Sequence, residues 1–221
     1  MIESYLAILA HHEPDFSIPA PQSVHCRSSD SPMPAGLDIL WLRTLGGGPQ
    51  PREKGFAVIW NGSHHLHVCS FFEDSDIFSE AKGRNDHTWT KGDVMELFFQ
   101  PAGGSRYFEI HVTPTLATLA LSIPDSDALN SGRCKFEELF FDTGFTPETG
   151  CFILPNGRSA WRAHIKQPLD KLGLSAEDLE GARFCVCRYN YNRDWAKPEL
   201  SSSASLPGKS FHQPDHWHKL L

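Results

Sequence analysis

The sequence has no run of lysine or arginine, and its 27 acidic residues outnumber 20 basic ones for a formal charge of -7. That balance makes nucleic acid or an anionic membrane surface a poor partner. No stretch reaches the roughly 18 apolar residues of a membrane-crossing helix, so no membrane partner is expected. The opening MIESYLAILAHHEPD sets an acid, and no Lys or Arg, before a short apolar stretch, which is not the pattern of a secretory signal. The expected location is the cytoplasm, or outside the cell if a leader precedes this sequence. There is no GxSxG, HExxH or P-loop. None of the six cysteines (Cys26, Cys69, Cys134, Cys151, Cys185 and Cys187) forms a CxxC pair. Six thiols in a chain this long are expected to be free and mostly buried, not a disulfide framework.

What is present is enough for one well-filled core. The chain has 221 residues, 40% of them hydrophobic, with 15 Phe and six Trp, which excludes disorder and leaves no room for two large domains. Residues 1–36, whose Pro14–Gly36 stretch is rich in Pro and Ser, are expected to form an extension packed on or near a main domain spanning 37–221. Two further loops stand out, GGGPQPREKG (Gly46–Gly55) and KPELSSSASLPGKS (Lys197–Ser210).

Between the loops the pattern has period two. HLHVCSFF, DVMELFFQ, RYFEIHVT, LATLALSI, SAWRAHIK and RFCVCRYNYN are separated by Gly, Pro and Asn turns. Helix signals are few. Pro168 with Gly173 frames one short helix, and Ser175 with Asp178 caps another, stapled by Leu174 and Leu179. The sequence therefore predicts an all-β, antiparallel sandwich with short helices near 168–181. Alternation also assigns faces. Glu109 and His111 oppose Phe108, Ile110 and Val112; Arg162 and His164 oppose Trp161 and Ile165; Arg188, Asn190 and Asn192 oppose Cys187, Tyr189 and Tyr191. The expectation is one shared polar face rich in Glu, His, Arg and Asn.

NDHTWTKGDVMELFFQP followed by YFEIHVTP, and RYNYNRDW followed by ELSSSASLPGKSFHQPDHWHKL, resemble the family 9 carbohydrate-binding modules and their DOMON-like, jelly-roll-like relatives. The resemblance spans Leu37 to Leu221. It implies a non-catalytic module that holds a mono- or oligosaccharide on a concave face, with Trp89 and Trp195 flanking the ring. Glu96 and Asn192 are the implied hydroxyl ligands. Arg188, Asn190, Glu109 and His111 are further candidates from the polar face. The bottom-up chemistry agrees: aromatic planes suit the C–H faces of a pyranose, and Asn, Glu or Arg groups fix its hydroxyl rim. The implied partner is a glycoside hydrolase, assisted in trans during carbohydrate breakdown. The family's modules can also hold structural calcium, for which Asp74 and Asp76 in FFEDSDIF are the nearest acidic pair; otherwise no cofactor is expected.

Other chemistries were weighed against this one. Relatives of the sandwich bind haem through Met with His or Lys. Here only Met33 and Met95 follow the initiator, and Met95 points away from Glu96. Glu96 and Glu109 on adjacent strands could form a glycosidase pair, yet no cleft is visible around them, and no enzyme activity is expected. His64, His65 and His67, or His212, His216 and His218, would hold zinc if they converged. Adventitious metal binding is the expectation there, and no metal site.

Overall fold

The structure is a computed structural model that describes residues 2–48 and 50–221. A helix, α1 (Ile2–His11), comes first. The strands that follow are β1 (Ser23–Val24), β2 (Arg27–Ser28), β3 (Leu40–Trp41), β4 (Arg43–Thr44), β5 (Gly55–Asn61), β6 (His65–Glu73) and β7 (Val94–Gln100). Then come β8 (Tyr107–Val112), β9 (Thr118–Ile123), β10 (Thr146–Ile153), β11 (Ser159–Pro168), β12 (Arg183–Asn190), β13 (Glu199–Ser202) and β14 (His218–Leu220).

They form two sheets. One runs β1-β14-β12-β7-β8-β9, with β13 joining β12 to β4; the other runs β10-β11-β6-β5-β2, with β3 on β5. All pairs are antiparallel except the two-residue pairs β1–β14 and β2–β5. The molecule is the all-β sandwich that the alternation predicts. Between the sheets, Met95, Leu97, Phe108 and Ile110 meet Val68, Phe72, Trp161 and Ile165.

The outer faces are covered too. On the six-stranded sheet, Tyr5 and Leu9 of α1 lie on Phe56, Trp60 and Phe71. On the eight-stranded sheet, Phe211 and Trp217 from the C-terminal segment lie on Phe98, Tyr107 and Cys185. Burial on both faces explains why β5, GFAVIWN, reads as a continuous apolar run without alternation.

The helical turns near 168–181 are present as Asp170–Leu172, closed by Gly173 at φ 72°, and Glu177–Leu179, with Asp178 accepting from the Ser175 amide and hydroxyl. The longest helix is instead α1, at the N-terminus. Its signal was the i, i+4 pair Tyr5 and Leu9 behind an acidic first turn. All six cysteines are free; Cys69, Cys185 and Cys187 are buried, while Cys151 is exposed.

The expected single polar face is corrected. Glu109 and His111 face outward from the eight-stranded sheet, under the C-terminal cover. Arg162 and His164 face outward from the other sheet. Arg188 and Asn190 point between the sheets, where the Arg188 guanidinium donates to Asp74 Oδ2 at 2.9 Å and Asn190 Oδ1 at 2.7 Å and lies 4.9 Å from the Phe72 ring. Alternation correctly opposed residues within each strand, but it carries no information on which side of a sandwich each strand presents.

On the outer face of the six-stranded sheet, Trp60 stacks on His67 at 4.8 Å, and His67 Nδ1 lies 3.1 Å from His164 Nε2. Burial, helped by the neighbouring His164, holds the His67 pKa down at about 4. An unfolded histidine titrates near 6.5, so full stability is present above that pH and is lost as the pH falls toward 4, while only the unfolded chain takes up the proton. The ring is partly exposed, so solvent screening reduces the loss to roughly 1 kcal/mol by pH 5. Urea unfolding at pH 7 and pH 5 should show His67→Gln flattening this slope; an unchanged slope would remove His67 as its source.

Candidate functional site

The site is built around Asp93, which opens β7 after a tight turn. Gly92 sits at φ 129°, and a Cβ there would meet the Phe78 carbonyl oxygen at 2.5 Å, so only glycine fits. Asp93 accepts from the Phe78 and Tyr191 amides, both at 2.8 Å, tying three segments together. Tyr191 in turn donates its hydroxyl to the Trp89 carbonyl at 2.7 Å, which fixes the helical turn Thr88–Thr90 above the sheet.

From there Trp89 overhangs a depression of about 320 Å³ on the outer face of the eight-stranded sheet. Its walls are Trp89, Phe136, Tyr189 and Phe211, and Glu96, Glu109 and His212 reach it from below and from the side. Trp89 and Phe136 meet edge to face at 5.4 Å, with 61° between their planes. Glu96 on β7 pairs directly across from His111 on β8, and Glu109 lies two residues back on the same face.

The floor is polar and buried. His111, fully buried, places Nε2 2.7 Å from Glu109 Oε1 and 3.3 Å from Glu96 Oε1, with Nδ1 2.6 Å from the Thr88 hydroxyl. Burial, reinforced by the Glu109 charge and only partly offset by His111, pushes the Glu96 pKa up to about 8. For Glu109, burial is the largest single influence and acts upward. The hydrogen bond and charge of His111, with the charge of His212, outweigh it and hold the pKa below the usual value. His111 is the mirror case: burial pulls it down, and the two carboxylates together raise it. Glu109 Oε2 is buried without a hydrogen-bond partner, and such a group calls for a donor.

Of the residues singled out in the sequence, the structure brings together Trp89, Glu96, Glu109 and His111. Trp195 and Asn192 do not line the depression. They lie on the loop after β12, where the Arg52 guanidinium covers the Trp195 ring at 4.6 Å and Asn192 donates to Ser75 Oγ at 3.1 Å. Arg188 and Asn190 are committed inside the sandwich, Asn190 donating to Glu53 at 2.8 Å. Phe136, Tyr189, Phe211 and His212 complete the site without having been singled out. Tyr189 was readable, since it alternates onto the face of Cys187, the residue paired with Glu96. Phe136 carries no such signal.

The residues present do not fit calcium at Asp74 and Asp76. Asp74 accepts from Trp161 Nε1 and Arg188, and Asp76 is paired with Arg193. Nor do they fit a methionine-ligated haem, because Met95 is buried between the sheets and Met33 packs on the far side of the six-stranded sheet. Larger depressions, of about 540 Å³ beside His65 and His67 and about 460 Å³ beside Gly46–Gly48, combine no aromatic wall with buried carboxylates among the described residues.

The aromatic-walled depression thus lies on the outer face of a two-sheet β-sandwich. The sequence matches no protein-family model and no curated protein, whereas the fold has clear counterparts among solved structures. It is similar to a candidate carbohydrate-binding protein from Bacteroides uniformis, at TM-score 0.66 and 13% identity, over 90% of this chain and 98% of that one. It is also similar to a family 9 carbohydrate-binding module from Caldicellulosiruptor kristjanssonii. The cellotriose complex gives TM-score 0.56 and 12% identity over 90% and 92% of the two chains; the glucose complex gives 0.55 and 12% over 90% and 95%. The chain has the fold of the family 9 modules.

Proposed function

We propose that the protein binds a mono- or oligosaccharide, without transforming it, in the depression beneath Trp89. The observation that carries this reading is the meeting of aromatic walls with a buried carboxylate oxygen that has no hydrogen-bond partner. A pyranose offers C–H faces to Trp89 and Phe136 and a hydroxyl donor to Glu109 Oε2. The similar module that holds glucose and cellotriose supports the choice of ligand class. Glu96 and Glu109 both turn toward the same imidazole instead of flanking a gap, which argues against their use as a glycosidase pair. A glycoside hydrolase acting on the same saccharide, in trans, is the partner this reading implies.

Calorimetry with glucose, cellotriose and a panel of other neutral, amino and acidic sugars tests it. The expected dissociation constant for at least one is micromolar to millimolar, about 4–8 kcal/mol, and Phe136→Ala should weaken it severalfold. No heat from any sugar at millimolar concentration would overturn the reading.

A further inference from the structure

Two histidines approach the same carboxylate from opposite sides, and each is aimed by a hydroxyl. His111 has Nδ1 on Thr88 Oγ1 at 2.6 Å, which turns Nε2 toward Glu96 and Glu109. His212 has Nδ1 on the Tyr107 hydroxyl at 2.7 Å, which turns Nε2 toward Glu109 Oε2 at 3.9 Å. Fixing a ring through one nitrogen so that the other is presented is how proteins orient metal-binding imidazoles. One oxygen of Glu96, one of Glu109 and His111 Nε2 already lie within 4.8 Å of one another, all buried.

From this arrangement we infer that Glu96, Glu109, His111 and His212 form a binding site for a divalent transition-metal ion of the zinc class. Tetrahedral zinc with bonds of about 2.0–2.1 Å sets its donor atoms roughly 3.3 Å apart. Within the group, His111 Nε2 lies 2.7 Å from Glu109 Oε1 and 3.3 Å from Glu96 Oε1, close to that value. His212 lies outside that three-residue group and would have to swing in as the fourth ligand, which its side chain, a quarter exposed, leaves room for. The donors are two imidazoles and two carboxylates. That set suits zinc, cobalt or nickel; calcium would need six to eight oxygens and magnesium an octahedral shell of them. A further pointer is Glu109 Oε2, buried without a hydrogen-bond partner on the side of the carboxylate that His212 approaches. The histidines of the larger depression are a weaker candidate, because His67 and His164 already use their facing nitrogens on each other.

This inference goes beyond saccharide binding and does not rest on it, because the ion is read without any sugar. The full-length chain is titrated with Co2+ and followed by visible absorption, then with Zn2+ as competitor. One equivalent of Co2+ should bind with the intense bands of a four-coordinate site, and Zn2+ should abolish them. Glu109→Gln should weaken binding by about a hundredfold and Tyr107→Phe, which only frees the His212 ring, by about tenfold. His212→Ala, at a partly exposed position, gives the same reading if Glu109→Gln fails to fold. A combined His64→Gln, His65→Gln and His67→Gln variant should bind as the unmodified chain does. The inference is overturned if Co2+ gives only the pale spectrum of a six-coordinate ion, if binding survives His212→Ala, or if it disappears with the three-histidine variant.

Discussion

Arg188→Met is expected to destabilise the fold by about 3–5 kcal/mol, the usual cost of removing one partner from a buried ion pair. Arg188 and Asp74 are both about 1% exposed, so neither can fall back on water. Without the guanidinium, Asp74 would keep only the Trp161 indole and the Asp76 amide as donors. Burial already pushes the Asp74 pKa up against the pull of Arg188; losing Arg188 would push it higher. Adding Asp74→Leu should recover much of the loss, because an apolar pair of similar volume avoids desolvation altogether. Urea unfolding of the single and double variants measures both effects. A single variant within 1 kcal/mol of the parent would show that the pair does not hold the sheets together at this end.

The second expectation separates the two tryptophans. Trp89→Ala should weaken saccharide binding about tenfold or more, which is about 1.4 kcal/mol or above, because the ring forms a wall of the depression and its loss removes both contact area and shape. Trp195→Ala should leave saccharide affinity within twofold. It should cost only the roughly 0.5–1 kcal/mol of its exposed contact with Arg52. Calorimetry of both variants against the sugar with the strongest response is the measurement. If Trp195→Ala carried the larger loss, the sugar would lie on the loop after β12 and outside the depression.

The contrast between these tryptophans shows how far the sequence could be read. Period-two patterning was sufficient to find the sheets, because a strand buried on one face must alternate. It was also enough to place Met95 and Glu96 on opposite faces, which weighed against a methionine-ligated haem. It failed for Arg188 and Asn190, whose strand alternates as expected but turns its polar residues inward to meet Asp74 across the sandwich. A polar residue opposite an apolar one reads as solvent-facing only when the far side holds no buried partner. Trp89 and Trp195 both sit among charged neighbours, and that local context could not show which one overlies β7 and β8. The remaining wall residues come from segments distant in sequence. Phe136 sits on a short helical turn, and Phe211 and His212 arrive from the chain's last stretch, so no window of sequence contains the site.

The lateness of that last stretch has a consequence for biogenesis. Tyr107 and His212 are 105 positions apart yet share a hydrogen bond. Near the same end, β14 completes its sheet by pairing with both β12 and the early strand β1. Synthesis runs from the N-terminus, so β7 and β8 emerge with Phe98 and Tyr107 uncovered until Phe211 and Trp217 follow. During translation that apolar sheet face therefore stays uncovered until the Phe211 segment is made, and it is the kind of surface that chaperones hold. A chain truncated before Phe211 should stay associated with them, and the 221-residue chain should leave.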